Sequence, residues 1–161
     1  MNTVQQQEKK RRSTEQKTSS LVQLSTFYLE NELFGIDALH VQEILTYQEI
    51  TPVPLAPDYV KGLINLRGQI ITVIDLRSRL GFDPLDDETT GMNLIVQSDE
   101  GLMSVFVDQI GNVLDLQADR LKPAPGTIRG VAVHYIQAVC QLEEDLLIVL
   151  DIDSVLQLTQ S

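Results

Sequence analysis

The chain has 161 residues, of which 43% are hydrophobic, and a formal net charge of −11. The charge is uneven: residues 1–20 hold five Lys and Arg against two Glu, a net +3, so the remaining residues carry −14. A body this acidic repels phosphate backbones, which excludes nucleic acid as its partner. No apolar run approaches the roughly 20 residues that cross a bilayer, so we expect a cytoplasmic protein.

The first segment is predicted to be a disordered basic tail. Residues 1–20 are rich in Gln, Ser, Thr and charge, so they bury too little apolar surface to offset the entropy of ordering. The basic run at residues 9–12 could touch an anionic surface, although a solvated tail is the simpler interpretation.

A β-hairpin and a short helix are predicted next. Residues 23–29 and 33–36 are β-favouring runs around a polar turn, which is typical of two antiparallel strands. Asp37 is placed to cap a short helix over residues 38–45, whose apolar side chains share one face.

A proline-rich stretch precedes the strongest hairpin signal in the chain. Three prolines within residues 51–57 exclude a helix and deny strand hydrogen bonds, so this stretch is predicted as an extended connector. Residues 62–66 and 70–76 are apolar strands, and Gly68 between them can take the positive φ of a tight turn.

The most informative feature is an internal repeat. Residues 59–80 align with residues 135–156 without a gap, at an offset of 76. The identical pairs are Tyr59/Tyr135, Leu66/Leu142, Val73/Val149, Asp75/Asp151, Ser78/Ser154 and Leu80/Leu156. Two earlier segments are echoed in the same order, 41–45 by 110–114 and 50–54 by 121–125.

The repeat predicts a mainly β fold of two similar subdomains. Each half offers about five short strands and no long crossover helix, so each is best closed as a small antiparallel barrel. We expect subdomain 1 at about residues 21–85 and subdomain 2 at about 90–158, joined through the polar stretch 81–91. The barrels should pack through the apolar strands of the repeated hairpin around a shared core, with a few short helices.

The two copies differ at the tip of the repeated hairpin. The first tip reads Arg67-Gly68-Gln69 and the second reads Glu143-Glu144-Asp145. The fold therefore does not dictate the tip, and Arg67 is a candidate recognition residue because a guanidinium offers a bidentate fork to a carboxylate. The alternative is an ordinary solvated arginine in a turn.

No residue pattern indicates catalysis. Asp75 and Asp151 each follow the last strand of a repeat, as helix N-caps do. His40 and His134 lack the cysteine partners of a zinc site. Cys140, the single cysteine, lies within a predicted strand and should be a small buried hydrophobe. We therefore expect no enzyme, no metal site and no cofactor.

Several motifs resemble the CheW family, and the resemblance assigns residues 21–161 to a CheW-like domain. In chain order they are HVQEIL at 40–45, ITPVP at 50–54, KGLINLRG at 61–68, VIDLR at 73–77 and LIVLDI at 147–152. The string NLRG within a hairpin is the most specific of them.

The resemblance implies two SH3-like five-stranded barrels and a non-catalytic adaptor. Such proteins bridge chemoreceptor tips to the CheW-like regulatory domain of the histidine kinase CheA, and the receptor hairpin lies in an apolar groove between the barrels. The positions that match the receptor-binding residues are Val41, Glu43, Gly62, Arg67, Ile110 and Val113. The resemblance assigns no residue to kinase binding.

Structural roles compete with these assignments. Val41, Ile110 and Val113 could be simple core residues. Gly62 could be a strand glycine that allows a close backbone approach.

Two other functions stay open. The same adaptor could serve pilus-based motility or phototaxis, which the sequence does not distinguish from flagellar chemotaxis. An enzyme or small-ligand-binding double barrel would instead gather His, Glu and Asp side chains in the cleft between the subdomains.

Overall fold

The computed structural model describes residues 20–158, so the predicted tail lies outside the described residues except for Ser20. The described chain is mainly β, as predicted, with ten strands and two short α-helices. The strands are β1 (Leu21–Leu29), β2 (Glu32–Asp37), β3 (Val41–Leu45), β4 (Val60–Leu66), β5 (Gln69–Asp75), β6 (Met92–Ser98), β7 (Gly101–Val107), β8 (Gln109–Gln117), β9 (Ile136–Gln141) and β10 (Leu146–Leu150). The α-helices are α1 (Leu76–Leu80) and α2 (Ile152–Leu156), and single 3-10 turns span Ala38–His40, Glu88–Thr90, Ala118–Arg120 and Val133–Tyr135.

The strands form two five-stranded sheets with the same internal order. Sheet A runs β8-β1-β2-β10-β9, and sheet B runs β3-β6-β7-β5-β4. Each strand of one sheet thus has a counterpart in the other from the opposite repeat, β8 for β3, β1 for β6, and so on. The internal repeat predicted from the sequence is therefore also a repeat of topology.

The two sheets do not divide the chain at residues 85–90, because each sheet contains strands from both sides of that stretch. The first hairpin, β1 and β2, belongs to the sheet that holds β8, β9 and β10, while β6 and β7 belong to the sheet that holds β3, β4 and β5. Each sheet also contains one parallel pair, β2 with β10 and β5 with β7, so the sheets are not purely antiparallel. The two repeats have exchanged their first hairpins, and the parallel pairs are where the exchanged strands join.

Three apolar clusters fill this arrangement. One lies within sheet A and includes Leu24 and Leu147, and one lies within sheet B and includes Ile71 and Phe106. The largest cluster draws on both sheets and both helices: Phe27, Leu29, Phe34, Ile36, Ile74, Leu76, Leu80, Leu94, Val96, Met103, Val105, Val107, Val131, Ile148, Leu150, Ile152, Val155 and Leu156. This shared core was predicted, although β1, β2, β6 and β7 contribute to it as well as the repeated hairpin.

The helix predicted over residues 38–45 is wrong beyond its first turn. Asp37 caps the 3-10 turn as expected, because its Oδ1 accepts a hydrogen bond from the Leu39 N–H at 3.0 Å. Val41–Leu45 is then strand β3, paired antiparallel with β6. Side chains on β3 alternate between half-buried and exposed, the period of a strand, because pairing with β6 outweighs the helical spacing of a few apolar residues.

Asp75 and Asp151 occupy the N-cap positions of α1 and α2, as predicted. The Asp151 carboxylate makes no capping hydrogen bond to the backbone, and its Oδ2 accepts the Ser154 hydroxyl at 3.1 Å. Burial raises the pKa of the Asp75 carboxyl, and the positive charge of Lys61 acts in the opposite direction.

Arg79 joins the two repeats near the ends of both helices. Its guanidinium lies 3.9 Å from the ring centroid of Tyr59 and 5.6 Å from that of Tyr135, the identical tyrosines of the two repeats. Its Nη2 donates to the carbonyls of Gln157 at 2.5 Å and Ser154 at 3.4 Å. A cation on α1 thus binds the carbonyls at the end of α2, where the helix dipole favours positive charge. None of the helices within residues 20–158 has the length and apolar character to span a membrane.

Candidate functional site

The hairpin of β4 and β5 ends in a two-residue turn made by Arg67 and Gly68. Leu66 pairs with Gln69, so only these two residues form the loop. Both have positive φ, 52° for Arg67 and 86° for Gly68, as a type I′ turn requires. Asn65 Oδ1 accepts a hydrogen bond from the Gly68 N–H at 2.8 Å. The turn is therefore tight and supported by a side chain, and it places Arg67 at the tip.

Arg67 forms a bidentate ion pair with Glu43 of β3. Nη1 lies 3.1 Å from Oε2, and Nη2 lies 2.5 Å from Oε1. β3 and β4 are the two edge strands of sheet B, so the pair links edges that lie at opposite ends of the strand order. The Arg67 side chain is 65% exposed and that of Glu43 is 31% exposed, so a partner can reach the guanidinium.

The structure thus brings together the two charged residues of the candidate site. Arg67 is largely exposed, and its guanidinium is oriented by a carboxylate in the fork geometry that suits planar, directional recognition. Isolated ion pairs at this degree of exposure contribute little to stability, so the fold does not depend on this one.

Gly62 lies beneath the proline-rich segment and not on the surface. It is buried, with φ of 153°. Thr51 and Leu63 exchange two backbone hydrogen bonds of 2.8 Å at this point. A Cβ at residue 62 would overlap the Thr51 carbonyl oxygen and lie 2.7 Å from Ile50 Cγ2. The close backbone approach considered for this glycine therefore accounts for it.

The three apolar candidates lie on the corresponding edge strands β3 and β8. Val41 and Ile110 are half-buried, and both pack against the core shared by the two sheets. Val113 is 57% exposed. Core packing therefore explains Val41 and Ile110 in part, while Val113 offers apolar surface to a partner.

One polar depression of about 210 Å³ contains the residue types that an enzyme would need, among them Asp37, His40, Asp151 and Asp153. Their side chains make local contacts, since Asp37 caps a turn, His40 Nδ1 lies 3.1 Å from a β6 carbonyl and Asp151 accepts a serine hydroxyl. Among residues 20–158, no three His, Cys, Asp or Glu side chains are grouped so as to hold a metal ion.

A protein-family model described as the CheW-like domain matches residues 23–160. The chain belongs to the CheW-like family.

Relatives and a solved structure agree over most of the CheW-like chain. Chemotaxis protein CheW of Klebsiella aerogenes is 35% identical over 130 residues, covering 81% of this chain and 78% of the relative. Chemotaxis protein CheW of Treponema pallidum is 36% identical over 134 residues, covering 81% and 79%. The crystal structure of the scaffolding protein TtCheW from Thermoanaerobacter tengcongensis matches with a TM-score of 0.78 at 25% identity, covering 84% of this chain and 92% of that one.

Sequence reasoning missed two polar features of this CheW-like chain. One is the hydrogen bond from the Gly68 N–H to Asn65 in the turn. An asparagine three residues before a turn glycine could have indicated it. The other is Arg77, whose Nε and Nη2 donate to Asp108 at 2.7 and 2.6 Å and whose Nη1 lies 3.3 Å from Glu30 Oε1. The sequence indicated Arg77 only by a difference between the repeats, since the second repeat has Asp153 at the matching position.

The Arg77 pair is a partly buried structural link between the sheets. The Arg77 side chain is 12% exposed and that of Asp108 is 17% exposed. The hydrogen bonds to Asp108 raise the pKa of Arg77 above its ordinary value. Because Asp108 follows β7 of sheet B and Glu30 follows β1 of sheet A, Arg77 holds the turns of the two sheets together.

Proposed function

We propose that this CheW-like chain is a non-catalytic adaptor in chemotaxis that couples chemoreceptors to the histidine kinase CheA. The observation that carries the proposal is the NLRG hairpin tip, which presents Arg67 in a bidentate pair with Glu43 on an exposed edge of sheet B. The family match over residues 23–160 supports the same role. The relatives are named chemotaxis proteins, which favours chemotaxis over pilus-based motility or phototaxis.

The receptor-binding surface that we propose combines this charged pair with the apolar edges of β3 and β8. Val41 and Ile110 lie at the margin of the shared core and Val113 is exposed, so together they offer apolar contact area to the hairpin tip of a chemoreceptor. The charged pair sets orientation, because directional charge contacts discriminate between binding registers while apolar area supplies affinity. Gly62 contributes indirectly, by letting the segment before β4 pack closely.

The kinase partner that we propose is the CheW-like regulatory domain of CheA. The charge of −14 beyond residue 20 disfavours direct contact with anionic membranes or nucleic acid. In this proposal the protein works in the cytoplasm, where the kinase and the receptor tips lie, and reaches the membrane only through receptors.

The test is co-sedimentation of the full chain with CheA and a receptor signalling fragment. Arg67→Glu should weaken receptor binding by about 30-fold, as for a central contact worth about 2 kcal/mol. The double variant Glu43→Arg with Arg67→Glu restores the ion pair with its charges exchanged, so it separates a structural role from recognition. If Arg67 contacts the receptor, the exchanged pair will fold normally and still bind weakly.

The chain offers a matched control in a second Arg-Gly turn. Arg129 and Gly130 also have positive φ, 53° and 84°, between the paired residues Ile128 and Val131. Arg129 Nη1 lies 3.2 Å from Glu32 Oε1. Arg129→Glu should leave receptor binding unchanged. Unchanged binding of Arg67→Glu would remove the site assignment, and a wild-type chain that sediments with neither partner would refute the adaptor function.

A further inference from the structure

We infer that Asn65 is a positioning residue for recognition by Arg67. Its side-chain oxygen holds the Gly68 N–H at 2.8 Å and so stabilises the turn in which Arg67 has a φ of 52°. The inference rests on the proposed function, since it concerns how the same hairpin tip is prepared for its partner.

The contact with Asn65 stabilises the turn because Arg67 is not a glycine. A side chain with a β-carbon is uncommon at positive φ, and this conformation persists where surrounding contacts favour it. Gly68 tolerates its φ of 86° without help, and a β-carbon there would meet nothing within 4 Å. The hydrogen bond from Gly68 to Asn65 closes the turn from the strand side and thereby restricts the backbone of the intervening Arg67.

Positioning of the Arg67 backbone controls where its guanidinium can lie. From this tight turn the side chain meets Glu43 with both terminal nitrogens, across the two edges of sheet B. A looser loop would spread the guanidinium over many orientations, and a partner would then have to order it on binding. Asn65 itself is exposed, so its amide does not serve core packing.

The second repeat shows that the fold does not require this turn. Gln141 stands at the position of Asn65, and in the connection that follows it the Leu142 N–H donates to the Asp145 carbonyl at 2.8 Å. The Gln141 Nε2 donates to the carbonyls of Leu142 and Asp145 at 3.0 and 3.2 Å, the reverse of the role of Asn65 as an acceptor. None of the residues of this second loop has positive φ. The acceptor at the tip is therefore specific to the copy that presents an arginine.

The experiment measures affinity for a receptor signalling fragment in the full-length protein. Asn65→Ala should weaken binding roughly three- to tenfold, the range for one net hydrogen bond. Asn65→Asp keeps an acceptor oxygen and should bind within about twofold of wild type. Gln141→Ala, the matched change in the second repeat, should bind as wild type.

Two readouts distinguish positioning from general destabilisation. In an Arg67→Ala background, Asn65→Ala should cause no further loss, because its effect acts through Arg67. The Gly68 amide should exchange with solvent faster in Asn65→Ala than in wild type, with the thermal midpoint nearly unchanged. If Asn65→Ala bound with wild-type affinity, or weakened binding as much in the Arg67→Ala background as in wild type, the inference about Asn65 would be wrong. The proposed function would be unaffected. A wild-type protein that does not bind the fragment would overturn the proposed function and, with it, the role of Asn65.

Discussion

Gly62→Ala is expected to destabilise the protein far more than a methyl group normally does. The added Cβ would overlap the Thr51 carbonyl oxygen and lie 2.7 Å from Ile50 Cγ2. The overlapped oxygen is backbone, and it belongs to the pair of 2.8 Å hydrogen bonds that joins Thr51 to Leu63. Relief of the overlap therefore requires the segment before β4 to move away from the sheet.

The magnitude follows from the conformation and the lost contacts. A residue with a β-carbon at a φ of 153° incurs strain of about 1 to 3 kcal/mol. Loss of the two bridging hydrogen bonds adds about 1 kcal/mol each. We therefore expect Gly62→Ala to lower the free energy of unfolding by about 3 to 5 kcal/mol. Gly68→Ala is the matched comparison, because its φ is also positive but its β-carbon meets nothing within 4 Å, and it should lower the free energy by only about 1 kcal/mol.

Urea unfolding of the two variants provides the assay. Both should shift the transition midpoint while keeping the wild-type slope, which is the signature of a change in stability. If Gly62→Ala cost no more than Gly68→Ala, the backbone overlap at Thr51 would not be real, and a direct role of Gly62 in partner binding would have to be reconsidered.

Two further predictions concern buried charge. Arg77→Met leaves the partly buried Asp108 carboxylate without its guanidinium partner and with only the Glu30 N–H as donor, so it should lower the free energy of unfolding by about 2 kcal/mol. Arg129→Met, whose ion pair is exposed, should lower it by less than about 1 kcal/mol, and urea unfolding measures both. A smaller loss for Arg77→Met would contradict the link between the sheets. Because burial holds the pKa of Asp75 above 3.8 even beside Lys61, the folded state binds this proton more tightly, and stability should fall as pH rises from about 4 through the folded pKa. Asp75→Asn should flatten that part of the profile of unfolding free energy against pH; an unchanged slope would refute the assignment.

The local elements were predictable from sequence because their signals are contiguous. The β4–β5 hairpin follows from two apolar runs and one turn glycine, and its register is set by a two-residue loop. The segment at residues 38–45 was mistaken for a helix because so short an apolar run fits either period. Its strand state depends on pairing with β6, which begins at Met92, far along the chain.

The exchange of hairpins could not be predicted, because both copies carry similar strands. Pairing of β2 with β5 of its own repeat would satisfy the same hydrogen bonds as the observed pairing with β10. The choice depends on how the whole chain packs, and no local pattern encodes it. The Arg67–Glu43 pair was hidden for a related reason: each residue was a candidate, but their contact requires sheet B to bring its two edge strands together.

The exchange of hairpins between the repeats makes the two sheets a rigid unit. Two barrels joined by a linker would move independently, whereas here each sheet contains strands from both repeats. Arg77 and Arg79 add polar links between the copies, and the largest apolar cluster spans both sheets. Separating one repeat from the other would therefore break strand pairs, the shared core and partly buried charge contacts together. A surface built from β3 and β8 is thus fixed before a partner arrives, so binding does not bear the entropy cost of ordering it.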